Sequence, residues 1–313
     1  RLLVSVITGN QQGANAALAH IQSIRNLGKG PAAELAASSP TNPNSPQEAQ
    51  MLMKASLAMR IGVPRLANTW AREALKARPT SQWAAAIAFR TEADPNTRQE
   101  IVGLLKPADC TLRRLLAAEV CQYRKDFAKA AQLYAEAAQK ENGDAVILLN
   151  QAVNTEYAGD LPRALALYRQ VWQASKLPAA ANNLAYATIR LHPKDSAKLA
   201  EAQALVAEAL RQVPNDATFL DTLGWLSYLR GQYEQACEQS RQAVRANPQA
   251  AENHYHLAMA ESACGRNDMA RWHQQAAINI VKAMDESKTV VSPDVRQVAS
   301  LAKEALKALD PGK

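Results

Sequence analysis

Polar and apolar positions follow each other along this chain in the rhythm of helices. Val295, Val298, Leu301, Ala302, Ala305 and Leu309 recur at steps of three and four among charged neighbours, which predicts one amphipathic helix. A longer period is laid over the short one. Within Asp221–Pro248 the small or apolar positions are Leu223, Gly224, Gly231, Ala236 and Ala243, and a step of 34 residues lands on Leu257, Ala258, Gly265, Ala270 and Ala277. A fixed period of roughly 20–50 residues marks stacked units, each too thin to bury a core of its own.

Followed towards the N-terminus, the same register gives Ala185, Ala202 and Ala209; Ala152, Gly159 and Ala164; Ala118, Ala130 and Ala137; and Ala55, Gly62, Ala67 and Ala74. Pro79, Pro214 and Pro248 close their units, and Asn142-Gly143 ends a helix as a left-handed cap does. The expected organisation is 1–47, degenerate repeats starting mid-unit; 48–81, a repeat; 82–110, a degenerate helix pair broken at Asp94-Pro95-Asn96; then repeats at 111–144, 145–177, 178–216 (with a lengthened turn), 217–250 and 251–284; and 285–313, a linker and capping helix with Ser292 as N-cap. Leu2, Leu3, Val6 and Ile7 in the opening half-unit need a neighbour. The expectation is therefore a longer array, or another chain packed on that end.

Composition narrows the class without changing it. The 313 residues are 48% hydrophobic but only 5% aromatic, a balance suited to closely packed helices. No apolar run approaches the roughly 20 residues that a bilayer-crossing helix needs. Cys110, Cys121, Cys237 and Cys264 form no metal-like spacing with the histidines, so no metal is expected. His254 and His256 fall on different helix faces. Cys237 and Cys264 fall on neighbouring helices, where either a disulfide or two buried thiols is conceivable. Fourteen Lys and Arg against seven Asp and Glu between Met51 and Lys129 account for the whole net charge of +7. That flank, 51–129, is an alternative site for RNA or an anionic surface, weighed against ordinary solvated helix faces. Glycine-rich phosphate loops, HExxH and GxSxG are absent, so no catalysis and no cofactor are expected.

The phased small residues and closing prolines resemble the tetratricopeptide repeat family over most of 48–284. The resemblance implies an all-α fold, a right-handed α-solenoid superhelix of stacked antiparallel helix pairs with a C-terminal capping helix. It also implies a non-enzymatic scaffold that binds a peptide or partner segment on the concave face lined by the first helix of each repeat. By register, those inward residues are Glu119, Gln122, Tyr123, Val153, Glu156, Tyr157, Asn182, Tyr186, Arg190, Asp221, Trp225, Tyr228, Tyr255 and Met259. Six of the chain's aromatic residues are among them, and Tyr and Trp favour interfaces.

The family's clamp for chaperone tails takes Lys and Asn at inward sites that here read Leu115, Leu149, Asn182, Asp221 and Tyr255. Only Asn182 matches, and that ligand is not expected. The related pentatricopeptide family, which reads single-stranded RNA, has a 35-residue period and fits less well. The segments NNLAYA, DTLGW and YHLAMA are similar to bacterial tetratricopeptide proteins, which implies a place in an envelope, secretion or polysaccharide-export assembly. A mature-looking start suits the periplasm, and unpaired cysteines suit the cytoplasm.

Overall fold

The computed structural model describes residues 46–107, 110–286 and 293–309. The expected repeats before residue 46 and the expected Ser292 cap lie outside the described residues. Among those described there are fifteen helices and no strand. They are α1 (Pro46–Arg60), α2 (Pro64–Ala77), α3 (Gln82–Arg90), α4 (Pro95–Leu104), α5 (Thr111–Tyr123), α6 (Phe127–Lys140), α7 (Ala145–Tyr157), α8 (Leu161–Ser175), α9 (Pro178–Leu191), α10 (Ser196–Gln212), α11 (Ala217–Leu229), α12 (Tyr233–Ala246), α13 (Ala251–Ala263), α14 (Asn267–Glu286) and α15 (Pro293–Leu309). None of them is long and apolar enough to cross a membrane.

Local chemistry sets the ends of these helices. Asp126, Asp144, Asp160, Asp195 and Asp216 each accept bonds from free N–H groups in the first turn of the helix that follows, as an N-cap does. Between α7 and α8, α11 and α12, and α13 and α14, the turn passes through a left-handed glycine, at Gly159, Gly231 and Gly265. Lys125 takes that conformation between α5 and α6, at φ 61°. The left-handed residue stops the helix within three residues, at no steric cost where it is glycine, which has no Cβ to clash.

The described residues divide into two compact units, one up to Arg124 and one from Lys125. In the N-terminal unit, α1 to α5 enclose Leu75, Phe89, Ile101, Leu105 and Val120. Asn68 Nδ2 donates to the carbonyl of Ala88 at 2.8 Å, tying α2 to α3. Arg78 reaches back to the buried carboxylate of Glu48 at 3.3 Å.

The C-terminal unit is a regular stack. Each helix from α6 to α15 packs on the next in the chain, and the first helices α9, α11 and α13 also touch their counterparts one pair away. The phased small residues sit at these crossings: Ala152, Ala164, Ala185, Ala202, Ala209, Ala236, Ala243, Ala258, Ala270 and Ala277 are fully buried. Gly224 shows why no larger side chain stands there, since a Cβ would meet the backbone nitrogen of Ser240 on α12 at 3.1 Å and collide with its Oγ.

One expectation is corrected. The extra length of 178–216 is not a long turn. The turn at 192–195 is one residue longer than those at 158–160 and 230–232, and α10 instead runs to 17 residues. Asp195 caps α10 by accepting from Ala197 N and Lys198 N, and the good helix formers that follow extend it as helix rather than loop.

The last helix, α15, packs on both α13 and α14. Val298 and Ala302 close over Ala251, Ala277 and Val281. Arg271 at the start of α14 donates to the carbonyl of Leu309 at 3.1 Å.

Candidate functional site

In the C-terminal unit the first helices α7, α9, α11 and α13 share one side of the stack, and a cavity of about 230 Å³ lies between them. Residues four apart on a helix share a face, and so Asn182 and Tyr186 on α9, and Glu252 and His256 on α13, reach the cavity together. Val153, Glu156 and Tyr157 enter from α7, and Thr218, Asp221 and Thr222 from α11. The second helix α8 adds Tyr168, and α15 adds Asp294.

Two ionic arrangements organise the wall. Arg190 on α9 bridges Glu156 at 2.5 Å and Asp294 at 3.5 Å, which ties the first turn of α15 to α7. Glu156 also accepts a 2.6 Å bond from the Tyr168 hydroxyl. On the other side His256 Nδ1 lies 2.8 Å from Asp221 Oδ2. A carboxylate only accepts, so that nitrogen carries the proton. The imidazole is fixed from behind by Trp225, which stacks on it at 4.5 Å and on Tyr228 at 4.8 Å.

The electrostatics of this wall are unbalanced. Burial pushes the Glu156 carboxyl above its ordinary range, against the hydroxyl of Tyr168 and the charge of Arg190, while Asp294 adds repulsion. Glu252 is raised by burial and by the neighbouring Asp221 and Asp294, opposed by a backbone N–H and by His256. Asp294 is raised by burial against the pull of Arg190. Tyr186 is likewise raised by burial and then by Asp221. Asn182 is 2% exposed, and its Oδ1 has no hydrogen-bond donor. Among the described residues no group of three or more His, Cys, Asp or Glu side chains is arranged to hold a metal ion.

Of the fourteen residues read as inward-facing, Val153, Glu156, Tyr157, Asn182, Tyr186 and Asp221 line this cavity. Arg190 joins them through its two carboxylates, and Trp225 and Tyr228 through the stack on His256. Tyr255 packs on the cluster that α15 closes, with its ring centroid 6.4 Å from that of Trp225. Met259 places its sulfur 3.9 Å from Gln274 Nε2 on α14. Glu119, Gln122 and Tyr123 lie on α5 in the N-terminal unit, with Glu119 exposed. Among the cavity residues that the register does not give are Tyr168, Thr218, Thr222, Glu252, His256 and Asp294. Glu252 and His256 carried a usable signal, being one helical turn apart on the helix already judged inward.

The pairs left open by the sequence have definite places. Cys237 and Cys264 are free thiols whose sulfurs lie 3.6 Å apart. Burial, then the Cys264 thiol and Glu261, push the Cys237 thiol up to about 12, against the Arg266 guanidinium. His254 and His256 do face different ways: His254 meets His273 at 2.9 Å, and His256 meets Asp221.

No family model and no curated protein sequence matches the chain. Solved structures do. A chain of the Cut9–Hcn1 hetero-tetramer of the APC/C aligns with a TM-score of 0.55 and 12% identity, over 86% of this chain and 55% of that one. The thermophilic tetratricopeptide repeat protein TTC0263 of Thermus thermophilus aligns with a TM-score of 0.50 and 18% identity, over 62% of this chain and all of that one. MamA from residue 41 onwards, of Desulfovibrio magneticus, gives 0.44 and 18%, over 56% of this chain and 97% of that one. The first two likenesses show the fold: an all-α solenoid of the tetratricopeptide type.

Proposed function

We propose that this chain is a non-enzymatic scaffold that holds an extended segment of a partner polypeptide on the first-helix side of its C-terminal unit. One observation carries the reading: the first-helix side of the stack has a cavity walled by polar side chains from six helices and bordered by the Trp225–Tyr228 stack. Convergent polar groups beside aromatic area are what a peptide-binding groove requires. The repeat boundaries read from the sequence belong to this proposal, as does membership of a bacterial envelope, secretion or export assembly.

The alternative, RNA or an anionic surface on the basic flank, has less support. Several of its cations are engaged within the N-terminal unit: Arg72 with Glu100, Arg78 with Glu48, Arg98 with the Glu92 carbonyl and the Phe89 ring, and Arg124 with Asn96.

The test is selection of a random dodecapeptide phage library against the whole chain. Enriched peptides that compete with one another and lose binding in the double variant Trp225→Ala, Tyr228→Ala, with helical content unchanged by circular dichroism, are the expected outcome. No enrichment, or binding indifferent to that variant, sinks the groove.

A further inference from the structure

We infer that the cavity between α7, α9, α11, α13 and α15 is a receptor for a basic side chain, lysine or arginine, carried by the bound segment. The inference deepens the groove reading and rests on it.

Charge and hydrogen bonding point to this occupant independently. Carboxylates from four helices, Glu156, Asp221, Glu252 and Asp294, line one cavity whose lining includes no Lys or Arg. The guanidinium of Arg190 is shared by two of them. An anionic partner residue would meet repulsion there, and an apolar one would strand charges. The second observation is Asn182. Asn182 lines the cavity, and its Oδ1 is buried and without a donor among the described residues, a state that is costly to the fold unless a donor arrives.

An ammonium or guanidinium group meets both demands, because it brings N–H donors and positive charge in one group. Arg190 is the internal example, a guanidinium of this chain held between carboxylates of α7 and α15. A bare metal ion is a poorer fit, since the acidic groups do not converge as ligands. The Trp225–Tyr228–Tyr233 rings beside the cavity, with Tyr233 exposed, offer apolar area to the residues flanking the basic one. A free polyamine has no such flanking residues.

Protonation supports the same occupant. Glu156, facing Tyr168, Arg190 and Asp294, and Glu252, facing Asp221, His256 and Asp294, hold their protons above the ordinary carboxylate range. An arriving cation stabilises the ionised forms and so opposes the burial and repulsion that raise them.

The experiment titrates the whole chain with the pentapeptide acetyl-Ala-Arg-Ala-Arg-Ala-amide and its Lys, Gln and Glu counterparts by isothermal calorimetry. The Arg and Lys peptides are expected to bind about tenfold or more tighter than the Gln peptide. Glu252→Gln weakens the Arg peptide about tenfold, and Asn182→Leu about fivefold without lowering the melting temperature. Arg and Gln peptides bound alike overturn the inference, as do affinities unchanged by both substitutions or no binding by any of the four. Spermidine binding as tightly as the Arg peptide overturns the assignment to a polypeptide. Phage-selected peptides that still bind in those cases and are lost in the Trp225 and Tyr228 variant leave the groove standing without its basic-residue pocket.

Discussion

Glu261 and Glu252 stand on the same helix, α13, nine positions apart, and they occupy opposite electrostatic situations. Glu261 is fully buried, yet two guanidinium groups close on it, Arg241 at 2.6 Å and Arg266 across the turn into α14. Glu252 shares its cavity with three further carboxylates and, at its own position, feels only His256 as an opposing side chain. Burial alone would raise the Glu261 carboxyl, but the hydrogen bonds from Arg266 and Arg241 hold it below its ordinary value. In Glu252 burial and repulsion win. A balanced buried charge is accounted for by the fold itself. An unbalanced one is held in place at a cost to the fold, which is the situation the proposed basic-residue pocket would relieve.

The contrast breaks most sharply at Glu261. Glu261→Gln is expected to destabilise the protein by about 3 kcal/mol, the cost of removing charge-assisted bonds from a buried site, read by urea unfolding. A loss below about 0.5 kcal/mol, the level of an ordinary surface change, would erase the distinction. Acid sharpens it. Glu261 has a lowered folded-state value, so its contribution is fully present above the unfolded value and is lost as pH falls through the folded one. Glu252 has a raised one, so its contribution is present below the unfolded value and is lost as pH rises through the folded one. The stability gap between wild type and Glu261→Gln should therefore shrink on acidification. The gap between Glu252→Gln and wild type should grow from near zero as pH rises above the unfolded glutamate range. Parallel slopes in melting temperatures taken from mild acid to neutrality would contradict this.

Smaller effects follow inside the cavity. Asn182→Leu removes an acceptor that has no donor, so the free protein is expected to hold its stability or gain up to about 1 kcal/mol. A loss above about 2 kcal/mol would assign Asn182 to the packing of the stack. Glu252→Gln relieves one like-charge repulsion and should stabilise the free protein at neutral pH on the order of 0.5 kcal/mol, by differential scanning calorimetry.

The fold was legible in the sequence because its cause is periodic. A helix crossing that admits only Ala or Gly recurs in each pair, and Gly224 against Ser240 shows the steric demand that writes the pattern. The site was half legible. Asn182, Tyr186 and Asp221 follow from helix register, but stepping 34 residues from Asp221 arrives at Tyr255, whereas its partner is His256, 35 residues on. Side chains that meet across two facing helices need not stand at equivalent positions of the period, and a counting rule carries no such offset. Asp294 was out of reach for another reason. It comes from α15, which has no counterpart in the repeat, so nothing in the period places its first turn beside Arg190. The greater length of 178–216 was expected to lie in its turn, and helix propensity absorbed most of it into α10.

A stack of hairpins is ordinarily a local affair, in which every contact spans a few tens of residues and any part can form before the rest is made. The bond between Arg190 and Asp294 departs from that rule by reaching across more than a hundred positions to join α9 to a helix that follows all the pairs. A ribosome delivering this chain must therefore pass α15 before the acidic wall has its fourth carboxylate, and fraying of that last helix would take that carboxylate away and leave Arg190 to Glu156 alone.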